Sequence, residues 1–368
     1  MSIETGFDLR WATSSDEPEI RALVGSVPMP GAVALRFARE PDYFLGTTIM
    51  GDPCDVLVAR HRLDGQLAGI ACRAEHPAYL NGRESPLGYI GQIRVAPGFR
   101  GNWLVQRGAK MFMDASPPGL IYLGVIAGEN PRARQLFAGS RLPGGPHATH
   151  VCGLTTCAIL LRPQRVLRVP GLDVQSGSPE TLGETIEFLR NQGPRRQFFP
   201  AYTLEDFTGG ERLRGLRPQD IMVVRREGAI LGVMAVWDQA AYKQDVVDAY
   251  GPALRRLRPI YNLFARMFGA QALTPPGQAI PLAFAACICV ANDDPIIMRA
   301  LLSTCVKRAH ELGKAFLMLG LTDNDPLLAV ARRYLQIPYH SDLFAVSWSE
   351  EPLTLLDGRL PYIEIATL

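Results

Sequence analysis

The stretch that decides the fold is Tyr89 to Leu104, YIGQIRVAPGFRGNWL. Its first part, Tyr89–Val95, has the apolar content of a buried strand, Pro97-Gly98 makes a turn, and Arg100-Gly101 lead straight into a helix. A strand that passes through a glycine-containing turn onto a helix N-terminus makes an anion site. The first N–H groups of the helix have no partner inside it, and the macrodipole adds partial positive charge. Arg100 adds a guanidinium suited to phosphate oxygens. Many α/β loops contain such a junction for turn geometry alone, so its meaning depends on what surrounds it.

Upstream, Phe7–Ala12 reads as a strand, and Ser14-Ser15-Asp16-Glu17 offer caps for a helix running through Val24. Pro28, Pro30 and Gly31 break it, and a second helical stretch is expected to reach Phe37. Asp55–His61 and Gln66–Ala74 form a hairpin across Leu63-Asp64-Gly65. Downstream, the central helix extends to about Asp114, and Leu120–Ala127 is another buried strand. Gly128-Glu129-Asn130-Pro131 cap a helix over Arg132–Ala138, and Gly153–Leu161 closes the unit.

The chain has 368 residues, enough for two domains. A formal net charge of +2 argues against a protein that neutralises a long track of nucleic-acid phosphates. No apolar run approaches the ~20 residues that cross a bilayer. The acidic N-terminus has no signal-peptide core, so a cytoplasmic location is expected. The cysteines Cys54, Cys72, Cys152, Cys157, Cys287, Cys289 and Cys305 form no CxxC pair, which points to reduced small hydrophobes and no metal site.

Arg162–Gly177 is polar, with Pro and Gly, and marks a boundary between residues 1–162 and 163–368. The second half repeats the plan. Leu182–Asn191 is a helix, Ile221–Arg225 and Ile230–Val236 a hairpin, and Leu282–Val290 the central strand. Met298–Leu312, Phe316–Leu321, Pro326–Leu335 and Phe344–Trp348 supply helix, strand, helix and closing strand, with a helical insertion at about 239–280. Leu301, Leu302, Cys305, Val306, Ala309 and Leu312 have the spacing of a helix core face.

This order, with its R-G loop after the fourth strand and N-x-x-A (Asn130, Ala133) after the fifth, resembles the GNAT acyltransferase superfamily over residues 5–162. The segments Arg39–Phe44, Tyr79–Val95 and Trp237–Gln244 resemble a bacterial group of tandem GNAT proteins. The resemblance implies an α/β (α+β) fold of two GNAT-like domains, each a mixed, mostly antiparallel sheet flanked by helices. The fourth and fifth strands would splay around the pantetheine of acetyl-CoA or another acyl-CoA. Cofactor contacts are implied at Ile93, Arg94, Val95, Gly98, Phe99, Arg100, Gly101, Asn102, Trp103, Leu104 and Asn130.

Two departures bear on that implication. Trp103 and Val105 stand where the superfamily loop carries small residues, which let the backbone approach a pyrophosphate. In the second half the matching turn is Ala291-Asn292-Asp293-Asp294, whose carboxylates repel phosphate and suit helix capping.

Acyl transfer from a thioester needs a deprotonated amine, a polarised carbonyl and a proton for the leaving thiolate. The Tyr that supplies this proton in many GNAT enzymes is here Phe137; Tyr334 stands in the analogous helix of the second half. A backbone N–H at Val95 or its neighbours is expected to polarise the carbonyl. Tyr89 and Glu129 are the catalytic candidates; the plain alternatives are a core Tyr with its hydroxyl at the rim and a helix-dipole carboxylate. Gln92, Glu75 and His76 lie nearby, and His147 and His150 precede Cys152 in a Gly/Pro-rich loop.

For the acceptor, Arg36, Arg39, Glu40 and Asp42 offer polar groups. Ala253–Phe268 joins four arginines to an apolar stripe, as for an interdomain helix or a membrane-surface helix. The sequence thus points to an N-acyltransferase acting on a small-molecule amine, with a homodimer allowed. Its rivals are a non-catalytic acyl-CoA-binding or interaction module and a membrane-peripheral enzyme.

Overall fold

The computed structural model describes residues 6–29, 33–100, 102–128, 130, 133–134, 145–267 and 271–368. The first half contains β1 (Phe7–Trp11), α1 (Glu17–Ser26), β2 (Val33–Ala38), α2 (Tyr43–Thr47), β3 (Cys54–His61), β4 (Leu67–Leu80), β5 (Arg83–Val95), α3 (Asn102–Ala115), β6 (Tyr122–Ala127) and β7 (His147–Leu160). The second half opens with β8 (Asp173–Ser176), α4 (Leu182–Gln192), α5 (Leu204–Thr208), β9 (Ile221–Arg226), β10 (Ala229–Trp237), β11 (Gln244–Tyr250) and α6 (Pro252–Met267). It continues with β12 (Leu282–Val290), α7 (Pro295–Glu311), β13 (Phe316–Thr322), α8 (Leu328–Ala331), β14 (Gln336–Ser347) and α9 (Glu351–Thr354).

Twelve strands form one sheet in the order β1-β3-β4-β5-β6-β14-β7-β13-β12-β10-β9-β8. Read inward from either end, the plan is the same: an edge strand, a hairpin, a central strand, its parallel neighbour, then a closing strand from the other half. β14 pairs with β6 from Ser341↔Ala127 to Val346↔Tyr122. β7 pairs with β13 from Phe316↔Leu160 to Thr322↔Leu154. The two closing strands pair with each other between Gln336↔Ile159 and Ser347↔His147. The halves have exchanged closing strands, so the sheet is continuous across residue 162, and β6 and β13 present no free edge.

A smaller ribbon makes a second link. β2 pairs antiparallel with β11, placing Phe37 opposite Asp245 and Leu35 opposite Val247. Val33–Phe37 is therefore a strand and not the expected helix, and part of the expected helical insertion is its partner. The alternation Val33, Leu35, Phe37 is a strand pattern whose partner comes from the other half. The closing strand β7 begins at His147, where a loop was expected. The expected helix over Pro326–Leu335 is only the single turn α8.

The core has two sides. Ile20, Leu23 and Val24 of α1 are buried in the same cluster as Ile70, Cys72 and Ala74 of β4. On the opposite face, Phe112 of α3 packs with Leu57, Ile90 and Tyr122, and Leu104 with Phe7, Ala59 and Ala68.

Candidate active site

β5 and β6 pair only at Gly88↔Tyr122 and Tyr89↔Leu123. Gly88 permits this close start, since a Cβ there would stand 2.1 Å from the Tyr122 ring. Beyond it the strands part. β5 then carries a bulge between the residues opposite Cys72 and Ile70, with Gln92 in the left-handed region at φ 52°. A bulge takes one residue out of the ladder and re-aims its backbone groups.

Just past the bulge, Ile93, Arg94 and Val95 line an apolar cavity of about 100 Å³ roofed by Leu104, Gly108 and Phe112 of α3. Ala148 and Trp348, neighbours at one end of the exchanged strand pair, close its side. The carbonyl-polarising N–H expected at Val95 has a better candidate at the bulge, three residues earlier in the sequence.

The implied cofactor residues divide. Gly98 lies in a 3₁₀ turn, Pro97–Phe99, with open space where a side chain would be. Arg100 is exposed beside the N-terminus of α3. Phe99 instead packs inward, 5.5 Å from the Phe7 ring and 5.2 Å from His61, while Leu104 is a core residue that also lines the cavity. Asn130 acts as a cap, its Oδ1 accepting from the Ala133 N–H at 3.1 Å. Gly101, Glu129 and Phe137 lie outside the described residues, as do the side chains of Asn102, Trp103 and Val105.

Tyr89 is 8% exposed, and its ring lies over Gly91, where a Cβ would come within 2.4 Å of it. Burial raises its pKa well above 10, so at neutral pH the phenol is an O–H donor at the mouth of the splay. The other candidates are engaged elsewhere. Glu75 pairs with Arg73 at 3.0 Å and accepts from the Tyr122 hydroxyl. Burial pushes His76 down to about 3, leaving it neutral. His150 bonds Asp342 across β14, and burial pushes the Cys152 thiol up to about 12, so the two make no activated nucleophile. Tyr334 follows the single turn of α8, its N–H donating to Ala331.

The second half shows the same geometry, closed. β12 and β13 pair from Leu282↔Phe316 to Phe284↔Met318 and then part, and Cys287 matches Gln92 with φ 52°. Here the gap is filled by the chain's own Tyr362–Ala366 segment. Glu364 accepts from the Cys287 N–H at 2.7 Å and from the Tyr362 hydroxyl at 2.8 Å, and that hydroxyl accepts from the Ile288 N–H. Ile365 covers Gly320 of β13. Arg196 then bridges Asp293, at the end of β12, to Asp325, after β13. Of the two aspartates expected to cap, Asp294 does so, through the Ile296 N–H at 2.7 Å, whereas Asp293 serves the bridge.

The four charged acceptor candidates also part company. Arg36 pairs with Asp248, Glu40 with Arg21, and Asp42 caps α2. Arg39 alone turns inward and is 4% exposed. Tyr43, Lys243, Asp245 and Glu364 were not singled out from the sequence; the alternation of Lys243 and Asp245 was the only local signal. On α6 the apolar stripe is not buried: Leu257, Ile260, Leu263 and Met267 are each more than half exposed. Among the described residues no cluster of metal-ligating side chains occurs, and no helix is long and apolar enough to cross a membrane.

No family model and no curated protein matches the sequence. Solved structures do match the fold. A GCN5-related N-acetyltransferase from Sphaerobacter thermophilus is 15% identical with a TM-score of 0.55, covering 98% of each chain. Saccharomyces cerevisiae N-myristoyltransferase with bound myristoyl-CoA is 11% identical with a TM-score of 0.58, covering 94% of this chain and 83% of that one. A glucosamine N-acetyltransferase region of a fungal multi-domain GH3 β-N-acetylglucosaminidase is 12% identical with a TM-score of 0.57, over 93% of this chain and 38% of that one. The chain has the GNAT fold.

Proposed function

We propose that this GNAT-fold protein is an acyl-CoA-dependent N-acyltransferase, in which the 1–162 half binds the thioester and the 163–368 half is a structural partner. The observation that carries this reading is the contrast between two equivalent grooves. The second is filled by Glu364 and clamped by Arg196, whereas the first leads into a cavity beside an uncovered glycine turn. The carboxylate oxygen of Glu364 marks where an acceptor oxygen sits against the bulge, and a thioester carbonyl has the same need at Gln92–Ile93. The cofactor phosphates would meet Arg100 and the N-terminal N–H groups of α3.

In this mechanism the bulge N–H polarises the thioester carbonyl as the amine attacks and negative charge grows on the oxygen. The C–S bond then breaks, Tyr89 is the group proposed to protonate the leaving thiolate, and the proton shed by the amine nitrogen as the amide forms restores the Tyr89 hydroxyl. The test is thiol release from acetyl-CoA and longer acyl-CoAs with a panel of primary amines. Amine-dependent release that Tyr89→Phe slows and Arg100→Glu weakens through the cofactor KM supports the reading. Binding of a thioester with no transfer to any amine would favour the non-catalytic module.

The exposed stripe of α6 favours one further reading, an enzyme that works at a membrane surface, since α6 has no acidic residue and carries Arg255, Arg256 and Arg258. Cosedimentation with anionic vesicles, lost in Leu257→Gln/Ile260→Gln, is its test.

A further inference from the structure

Two cations, Arg39 buried and Arg94 partly exposed, stand beside the open groove without an ion pair. Arg39 projects from the end of β2, is 4% exposed, and donates to the carbonyl of Ala38 at 2.8 Å. Arg94, just past the bulge on β5, donates to the carbonyl of Ile93 at 3.0 Å and lines the cavity. Among the described residues neither has a carboxylate within ion-pair distance. The two converge on one ring, with their guanidinium carbons 5.7 and 5.5 Å from the centroid of Phe37.

Beside them the Tyr43 hydroxyl is fully buried and has no hydrogen-bond partner. The Lys243 amine also lies nearby, donating to the carbonyls of Ala366 and Leu368, and burial together with Arg39 works against its charge. The acids facing this group are Asp245, which acts on Arg39 and Lys243 without touching either, and Glu364, which is engaged at Cys287. Burial works against both arginine charges. Buried charges persist when something pairs them, and here the chain's own residues supply too little negative charge.

Resting on the acyltransferase reading, we infer that the acceptor is an amine that also bears a carboxylate, held by Arg39 and Arg94 with the Tyr43 hydroxyl donating to it. The planar fork of a guanidinium matches a carboxylate. The site lies between the bulge and the β2–β11 ribbon, apart from the Arg100 turn where the cofactor phosphates are placed, so the acceptor's anion and the cofactor's do not compete. Held there, the acceptor's amine faces the bulge, where the thioester carbonyl would be attacked.

The experiment pairs each amino acid with the amine left by removing its carboxylate: glycine with methylamine, L-leucine with 3-methylbutylamine, L-phenylalanine with phenethylamine. Thiol release from acetyl-CoA is measured for wild type, Arg39→Met and Arg94→Met, together with thermal stabilisation by the same compounds in the presence of CoA. Losing one partner of a buried charged hydrogen bond costs at least about 30-fold. The inference predicts that kcat/KM favours at least one amino acid over its paired amine by that factor or more, and that either variant removes the preference.

Equal use of the paired amines overturns the inference and leaves the acyltransferase reading standing. If no compound releases thiol, carboxylate-dependent stabilisation of the wild type, lost in both variants, supports the site and overturns the reaction. No stabilisation and no turnover overturns the site. The wild-type preference needs no variant, so misfolding of either substitution does not rescue the inference.

Discussion

Tyr89 can lie across the mouth of the splay because its neighbour on the same face is Gly91. A methyl at that position would stand 2.4 Å from the ring, which a close-packed interior resolves only by moving the ring or the strand. Gly91→Ala should therefore cost about 1–3 kcal/mol in urea unfolding; an unchanged midpoint would place the ring elsewhere. Lys243 gives a second test at this scale. Burial pushes its pKa down to about 7 from 10.5, so above pH 7 the unfolded chain binds a proton that the folded one releases. Stability contributed at this position must rise as pH increases from about 7 toward 10.5. The wild type should thus gain on Lys243→Met between pH 7 and 8.5, and a flat difference would mean that the buried amine keeps its charge. From the sequence, Tyr89 was a catalytic candidate, Arg39 an acceptor candidate and Arg94 an implied cofactor contact, but nothing there could tell buried from solvated. Arg36, three residues before Arg39, makes an ordinary ion pair with Asp248.

At the scale of elements, the strand-turn-helix unit around Arg100 was legible because its signals are local: an apolar run, a Pro-Gly turn, then helix periodicity. β2 was not, because six residues with Pro and Gly upstream read as strand only when β11 is beside them. The filler of the second groove was equally silent. Tyr362–Ala366 has no periodicity of its own, and Glu364 acquires meaning only against the Cys287 N–H. Glu364→Ala would orphan that buried donor and leave the Tyr362 O–H without an acceptor, at about 1–3 kcal/mol. It should not create a second thioester site, because Arg196 still spans Asp293 and Asp325. Stability and calorimetric stoichiometry, measured on the same variant, separate these two outcomes.

On the scale of the whole molecule, the repeat was readable but the exchange of closing strands was not. Two copies of one strand order look the same in sequence whether each closes on itself or on its twin. The exchange makes each half incomplete alone: residues 1–162 would expose the edge of β6 and leave β7 without β13 and β14. The account predicts one cooperative unfolding transition for the full chain, and an isolated 1–162 fragment that aggregates or requires 163–368 for solubility. A well-folded monomeric fragment would contradict it.

Of two equivalent grooves, one is open and the other is closed by the chain itself. Isothermal titration of the full-length protein with acetyl-CoA tests it most directly. The account predicts a single site per chain, abolished or strongly weakened by Arg100→Glu and unaffected by Glu364→Ala. Two sites per chain, or one site indifferent to Arg100 but lost with the second-half residues, would contradict it, as would no binding of any acyl-CoA.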